Sequence, residues 1–378
     1  MKKSCKNINI TNPDTIRPYV EECLSRHKKK RKFRKLIQLW GPKLQTAVNR
    51  IAGYAAQAIT DRTVPAFAPK STVRMDSSSG KERLIGCETA MQQVFDYIAV
   101  RSCTEIWKRR YVPQQCSSIK GCGQIYGVNL IKSYIKQDNR AARYARKHRL
   151  RYTPKCKYFV KLDVRHCYQS ISRELLIQLL EHDCGNPDII YLWRILTESY
   201  KRTTGCTGLL IGALPSQWAA QLVLSYLYRF TMAQDGPRHM VMFMDDMLIM
   251  GGNRRKLKKT VEKLIEYAKE KLGLTIKPNW HIKRLDYEPV DMMGFVVHGN
   301  GKITIRAKNF VHARRMLLRQ QRKLLVYSQA KRLVSYKGYF KYSDCWKLRK
   351  EMKLKSAFEQ AQQTISDHER GKRNESIL

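Results

Sequence analysis

Three carboxylates stand out because of what surrounds them. The stretch "VMFMDDMLIM" (241–250) sets Asp245 and Asp246 side by side between runs of Val, Met, Phe, Leu and Ile. A second stretch, "FVKLDVRHCY", ends an apolar run on Asp163. A buried, unpaired carboxylate costs several kcal/mol or shifts its pKa until it is neutral, and two adjacent ones also repel. A cation is therefore expected before them. Mg²⁺ favours carboxylate, water and phosphate oxygens, and two such ions about 3.5–4 Å apart can activate an attacking oxygen and stabilise a leaving one in phosphoryl transfer. Neighbouring strands lie about 4.8 Å apart, so a strand ending at Asp163 beside a hairpin at Asp245 would let the carboxylates share those ions. Adjacent strand residues face opposite ways unless a bend reorients one, so the expected direct ligands are Asp163 and Asp245, with Asp246 in support. The competing reading of the pair is a surface turn. Apolar flanks on both sides speak against it.

The elements that must position these groups can be read from pattern. Residues 1–60 look mostly helical, and "STVRMDSSSGKERLIG" reads as two short strands joined by a polar turn. From 86 to 140 the pattern is helical, broken by the loop "YVPQQCSSIKGCGQ". The strand "KYFVKLDV" meets a helix with Ser172 as N-cap and Glu174 just inside, where its charge suits the dipole. "SQWAAQLVLSYLYRFT" is apolar nearly all round and should be a buried helix. "HMVMFMDDMLIMGG" reads as two strands bending at the aspartates. Leu257, Val261, Leu264, Ile265, Ala268 and Leu272 form one helical stripe, closed by Gly273 as C-cap. "MMGFVVHGNGKITIR" reads as a hairpin turning at Asn300–Gly301. Beyond 307 the chain is helical and basic, and its polar tail, "SDHERGKRNESIL", should fray. The sum is an α+β plan in which a small sheet presents carboxylates.

Length and composition narrow the partners. A chain of 378 residues fits two to three packed units, and a hydrophobic fraction of 43% makes wholesale disorder a poor reading. Lys plus Arg number 73 against 31 Asp plus Glu, a formal charge of +42. Such an excess repels itself unless a polyanion neutralises it, and nucleic acid is the usual one, with binding that weakens steeply in salt. No apolar run reaches the roughly 18–20 residues of a spanning helix, so no membrane partner is expected. The start, "MKKSCKNINITNPDTI", lacks the apolar core of a secretory signal. Eleven cysteines without CxxC spacing suit reduced thiols, and Cys116 and Cys122 lack His partners for a zinc knuckle. The basic block "RHKKKRKFRK" (26–35) is either a solvated helix face or a contact to a phosphate backbone.

With these motifs in view, the chain resembles the reverse transcriptases. "FMDD" is similar to their Tyr-x-Asp-Asp box, with Phe243 in place of Tyr, and the likeness runs in order over residues 70–300. The resemblance implies a right-hand polymerase: a basic helical extension over 1–60, fingers over 61–155, a palm over 156–299 carrying the Asp site on an antiparallel sheet, and a helical basic thumb over 300–378. "SSSGKERLIG" resembles the fingers strands that hold the incoming triphosphate, implicating Lys81 and Arg83. "KLDVRHCYQSI" resembles the first palm motif, with Asp163 and the adjoining Val164 in the metal set beside Asp245 and Asp246. Tyr168 falls where the family places an aromatic under the sugar, which would clash with a 2′-hydroxyl. "IGALPSQ" resembles the motif supporting nucleotide and template, implicating Gly212, Ser216 and Gln217. "LGLTIK" brings Lys277 as a proton donor to leaving pyrophosphate, and "DMMGFVV" resembles the primer grip, with Met293, Gly294 and Phe295.

The implied activity is RNA-directed DNA polymerisation with two Mg²⁺ (Mn²⁺ as the alternative ion), an RNA template, a DNA primer or product, and dNTPs. The central motif departs from the usual Gln-Gly-x-x-x-Ser-Pro. Its Ile and Gln variants are similar to those of diversity-generating retroelement enzymes and of bacterial "unknown group" enzymes linked to phage defence. That implies a cytoplasmic, bacterial or phage-encoded protein working with a dedicated non-coding RNA in antiviral defence, as a homo-oligomer or with an accessory protein. A diversity-generating enzyme is the nearest alternative, and a catalytically silent RNA-binding scaffold is the alternative of another class. The residues after 300 are too few and too basic for a ribonuclease H site, and no Cys/His endonuclease tail is expected.

Overall fold

The computed structural model describes residues 2–75, 80, 82–204, 208–322 and 325–375. Among the described residues nine strands form three sheets. A hairpin pairs β1 (Lys70–Met75) with β2 (Glu82–Cys87). The central sheet takes β3 (Tyr158–Asp163), β4 (His239–Phe243), β5 (Asp246–Gly251) and β6 (Ile282–Arg284) in the order β4-β5-β3-β6, all antiparallel. A meander follows from β7 (Val290–Met292), β8 (Phe295–Val297) and β9 (Ile303–Ile305). This is the mixed, antiparallel α+β plan expected of the sequence.

Alternation along the central strands assigns two cores. Val160 and Leu162 of β3 join Met247 and Ile249 of β5 in a core shared with the helices Ala90–Ser102, Leu214–Met232 and Arg254–Leu272. Phe159 joins Leu248 and Met250 in a second core, closed by the Gln124–Lys147 helix and the meander. Covering on both faces explains why "MLIM" reads as an unbroken apolar run rather than alternating with polar residues. The first core extends without interruption to Ile16, Val20 and Leu24 of the Pro13–His27 helix, so the N-terminal helices are packed into the body that holds the sheet.

Local signals behave as their chemistry dictates. The Ser172 hydroxyl caps its helix by accepting from the Leu175 N–H at 3.0 Å, and Gly273 closes the Arg254–Leu272 helix at φ +63°. Two readings need correction. The 290–305 segment turns twice: besides the turn before β9, Met293 and Gly294 adopt φ +55° and +78° between β7 and β8. Of the polar tail, residues 366–375 continue the Leu354–Glu375 helix, where His368 stacks on Tyr327 at 4.1 Å between ring centroids; the rest of the stretch expected to fray lies outside the described residues. That ring contact supplies an anchor which composition alone does not reveal.

Candidate active site

In the β3–β5 ladder Asp163 stands directly opposite Asp246, and in the β4–β5 ladder Phe243 does so from the other side. Opposed residues of an antiparallel pair share a face. Phe243, Asp246 and Asp163 therefore form a row across one end of the sheet. Asp245 lies outside the ladder, because with Met244 it makes the two-residue turn joining β4 to β5. Met244 takes φ +55°, a conformation uncommon outside glycine. Strand alternation consequently does not govern Asp245. Its carbonyl accepts the Val164 N–H at 3.3 Å, which seats the turn against the end of β3.

A further segment pairs beside that end. The Arg165 N–H donates to Thr275 O at 2.7 Å, and the Lys277 N–H donates to Asp163 O at 2.9 Å. This alignment carries the Lys277 Nζ to 2.7 Å from Asp163 Oδ1. Lys277 thus sits among the carboxylates.

The electrostatics describe an under-neutralised acidic cluster. Burial pushes the Asp245 carboxyl above its ordinary pKa; its own N–H opposes this, Asp163 adds to it, and Lys277 and Arg83 lower it again. Burial also raises Asp246, opposed by Lys161 and reinforced by Asp245 and Asp163, with a smaller lowering from Arg306. The donor chemistry is all oxygen, which suits a hard divalent ion. Among the described residues no three His, Cys, Asp or Glu side chains converge into a ready-made cage. Mg²⁺ rarely demands one, since one or two carboxylates usually share it with water and substrate phosphates. The Asp163, Asp245 and Asp246 carboxylates fit that pattern; of Val164 the structure shows the N–H, bonded to Asp245 O.

Tyr168 lies on the short helix Cys167–Ser170, entered through His166 at φ +48°. It is half-buried, and burial, then Cys167, then Asp245 push its phenol up to about 12. The Tyr168 carbonyl accepts the Leu209 N–H at 2.8 Å, tying this turn to the 208–213 segment.

That segment also holds the β1–β2 hairpin. The Gly86 N–H donates to Ile211 O at 2.8 Å. Gly212 has φ +105°, and a Cβ there would lie 3.0 Å from Gly86 O. The positive φ favours glycine, and the approach to Gly86 O leaves little room for a side chain. Through this dock Arg83 of β2 comes within electrostatic reach of Asp245. Lys81, the other fingers candidate, lies outside the described residues. Ser216 is fully buried in the Leu214–Met232 helix and Gln217 is exposed, so of the two only Gln217 presents its side chain to solvent.

Met293 and Gly294 form the β7–β8 turn and Phe295 opens β8, on the Phe159–Leu248 side of the sheet. Gln124 Nε2 donates to Met293 O, and a Cβ at Gly294 would meet the Tyr339 ring at 2.6 Å. The meander is linked to the carboxylate row by groups that motif reading missed. Lys161 Nζ donates to Asp291 O at 2.5 Å, and Arg306 Nε lies 2.6 Å from Asp291 Oδ1. Lys161 was within reach of pattern reasoning, since it lies two residues before Asp163 and shares its face. Asp291 and Arg306 carry no local signal.

Residues 68–297 match the family model described as reverse transcriptase (RNA-dependent DNA polymerase). Among curated proteins, none matches. Among solved structures the chain is similar to telomerase from Candida albicans in complex with a TWJ fragment of telomeric RNA, at 12% identity and a TM-score of 0.40, over 79% of this chain and 61% of that one. It is also similar to apo telomerase from Candida tropicalis, at 13% identity and a TM-score of 0.45, over 80% and 58% of the two chains. The chain spans about three fifths of the length of these telomerase chains.

Proposed function

The chain belongs to the reverse transcriptase family, and from that premise we propose that it is an RNA-directed DNA polymerase copying an RNA template into DNA from dNTPs. The single observation that carries this reading is the pairing of Asp163 with Asp246 beneath the Asp245 turn, with Lys277 at its edge. Asp163, Asp245, Asp246 and the Val164 carbonyl would hold two Mg²⁺, with Mn²⁺ as the alternative. When bound, such ions activate the attacking primer oxygen and neutralise charge on the leaving one.

The chain's own residues have separable tasks in this scheme. Arg83, with Lys81, binds the triphosphate; the reach of Arg83 toward Asp245 supports this. Tyr168 sets a ring under the sugar and excludes the 2′-hydroxyl. Gly212 lets β2 approach closely enough to deliver those cations, Ser216 supports the helix start, and Gln217 faces the nucleotide. Lys277 holds a proton at its Nζ for the leaving pyrophosphate. The Met293–Gly294 turn, with Phe295 after it, steadies the primer. Fingers over 61–155, palm over 156–299 and a thumb over 300–378 follow as the division of labour, with 1–60 as an extension.

We further propose a dedicated non-coding RNA as template and a role in phage defence, in the cytoplasm of a bacterial host. The Ile-Gly-Ala-Leu-Pro-Ser-Gln variant supports this branch. Sequencing nucleic acid that co-purifies with the protein tests it: one discrete RNA with a DNA copy supports the proposal. A variable-repeat transcript would favour diversity generation instead, and RNA without any DNA copy would favour a silent scaffold.

A further inference from the structure

A second surface, remote from the carboxylates, carries features that polymerisation does not use. The last turns of the Gln124–Lys147 helix and the chain beyond it read "NRAARYARKHRLRYTPK" (139–155), and no acidic residue occurs between Asp138 and Asp163. The helix does not end in an open coil. The Leu150 N–H donates to Ala145 O at 2.8 Å, and Arg149 takes φ +54°. Helices that close this way usually place glycine at that position. Here the position is held by arginine, so the cap adds a cation to the basic segment.

Beyond the cap the chain folds back over the helix. Asp138 accepts from the Tyr152 hydroxyl and from the N–H groups of Lys155 at 2.8 Å and Cys156 at 2.9 Å. This leaves a crevice of about 450 Å³ walled by Arg140, Ala141, Tyr144, Leu150, Arg151 and Tyr152. Tyr144 is 60% and Leu150 58% exposed, and His148 packs on the Tyr144 ring at 4.2 Å. The crevice is thus apolar within and cationic at its rim. It lies at the far end of the central sheet: Gly252, just past the end of β5, abuts Pro154, and Tyr158 begins the strand that reaches Asp163 roughly 16 Å later.

We propose that this crevice binds an unpaired segment of RNA outside the catalytic cleft, with a base stacked on Tyr144 and phosphates on Arg140 and Arg151. Aromatic rings beside arginine are sequence-tolerant platforms for unpaired bases, and a duplex cannot offer a free base face. The cations are mostly arginine, which stacks on bases as well as pairing with phosphate. An anionic bilayer fits less well, because two exposed apolar side chains give little to insert. The identity of the strand as RNA rests on the polymerase reading, in which the unpaired portion of the template is RNA.

The test uses the full chain, a labelled unpaired RNA, a hairpin RNA duplex of equal length, the same single strand as DNA, and phosphatidylserine vesicles. With the catalytic cleft saturated by a short primer–template, Tyr144→Ala should weaken unpaired-RNA binding by about fivefold or more. Arg140→Gln with Arg151→Gln should lower the log–log salt slope by about one to one and a half. Extension of the short primer–template should be unchanged in both variants. Photocrosslinking of 4-thiouridine RNA to wild-type protein should mark residues 140–152, which needs no variant to fold. Unchanged affinity in both variants, equal loss on the hairpin duplex, or no crosslink within 140–152 would overturn the proposal. So would vesicle binding with the same dependence, or DNA binding preferred over RNA. Crosslinking without any dNTP incorporation by wild type would instead sink the polymerase reading and leave the crevice standing.

Discussion

Asp163 and Asp246 face each other across one rung of the β3–β5 ladder, on the same side of the sheet. Asp245 adds a third carboxylate from the turn above, and burial raises both Asp245 and Asp246. A carboxylate raised on folding contributes stability that is present below its unfolded pKa and lost as pH rises through its folded value. Metal-free protein should therefore lose stability as pH climbs from the ordinary aspartate range through these raised values. Added Mg²⁺ should recover that loss, and more strongly at neutral pH than at acidic pH, since ligands must be deprotonated. Thermal unfolding against pH, with and without Mg²⁺, checks this. Asp246→Asn should raise the metal-free Tm by about 1–2 °C, and a fall would mean the charge is already compensated.

Lys277 Nζ lies 2.7 Å from Asp163 Oδ1, so it should compete with a divalent ion for that carboxylate. Both side chains are about one-third exposed, so the pair itself is worth no more than about 1 kcal/mol. Lys277→Met should lower the Mg²⁺ concentration giving half-maximal rate while reducing kcat about tenfold or more through loss of the proton donor. A rise in the Mg²⁺ requirement would show that Lys277 positions Asp163 rather than competing for it.

Tyr168→Ala should relax discrimination against ribonucleotides by about tenfold or more, with little change in dNTP use. Measurement of kcat/KM for a matched dNTP and rNTP decides it. Unchanged discrimination would return Tyr168 to the role of a packing aromatic.

Gly212→Ala should undock the β1–β2 hairpin from the 208–213 segment, since the new Cβ meets Gly86 O and the φ of +105° suits glycine. Strain of about 1–3 kcal/mol is expected. Its effect should fall on KM for dNTP, through Arg83, more than on Tm. A collapse of Tm with KM unchanged would make Gly212 structural only.

Sequence reasoning reached the parts of this molecule that are specified locally. The β4–β5 hairpin, the Ser172 cap and the Gly273 cap each declare themselves within a few residues. Asp163 was legible as the end of an apolar strand. The pairing of Asp163 with Asp246 was not, because register depends on residues more than eighty positions apart. Neither was the Met293–Gly294 turn, where methionine takes a positive φ against its own preference. Lys277 was named from its motif, but its reach to Asp163 depends on the 275–277 segment pairing beside β3. Arg306 and Asp291 meet only through the meander.

The central claim is that these three carboxylates carry nucleotidyl transfer. Primer extension on an RNA template with Mg²⁺ and dNTPs, comparing wild type with Asp245→Asn at matched RNA occupancy, tests it most directly. The account predicts extension by wild type and at least about a hundredfold loss in the variant, with RNA affinity retained. Equal extension by both proteins, or none by wild type with its co-purified RNA present, would contradict it.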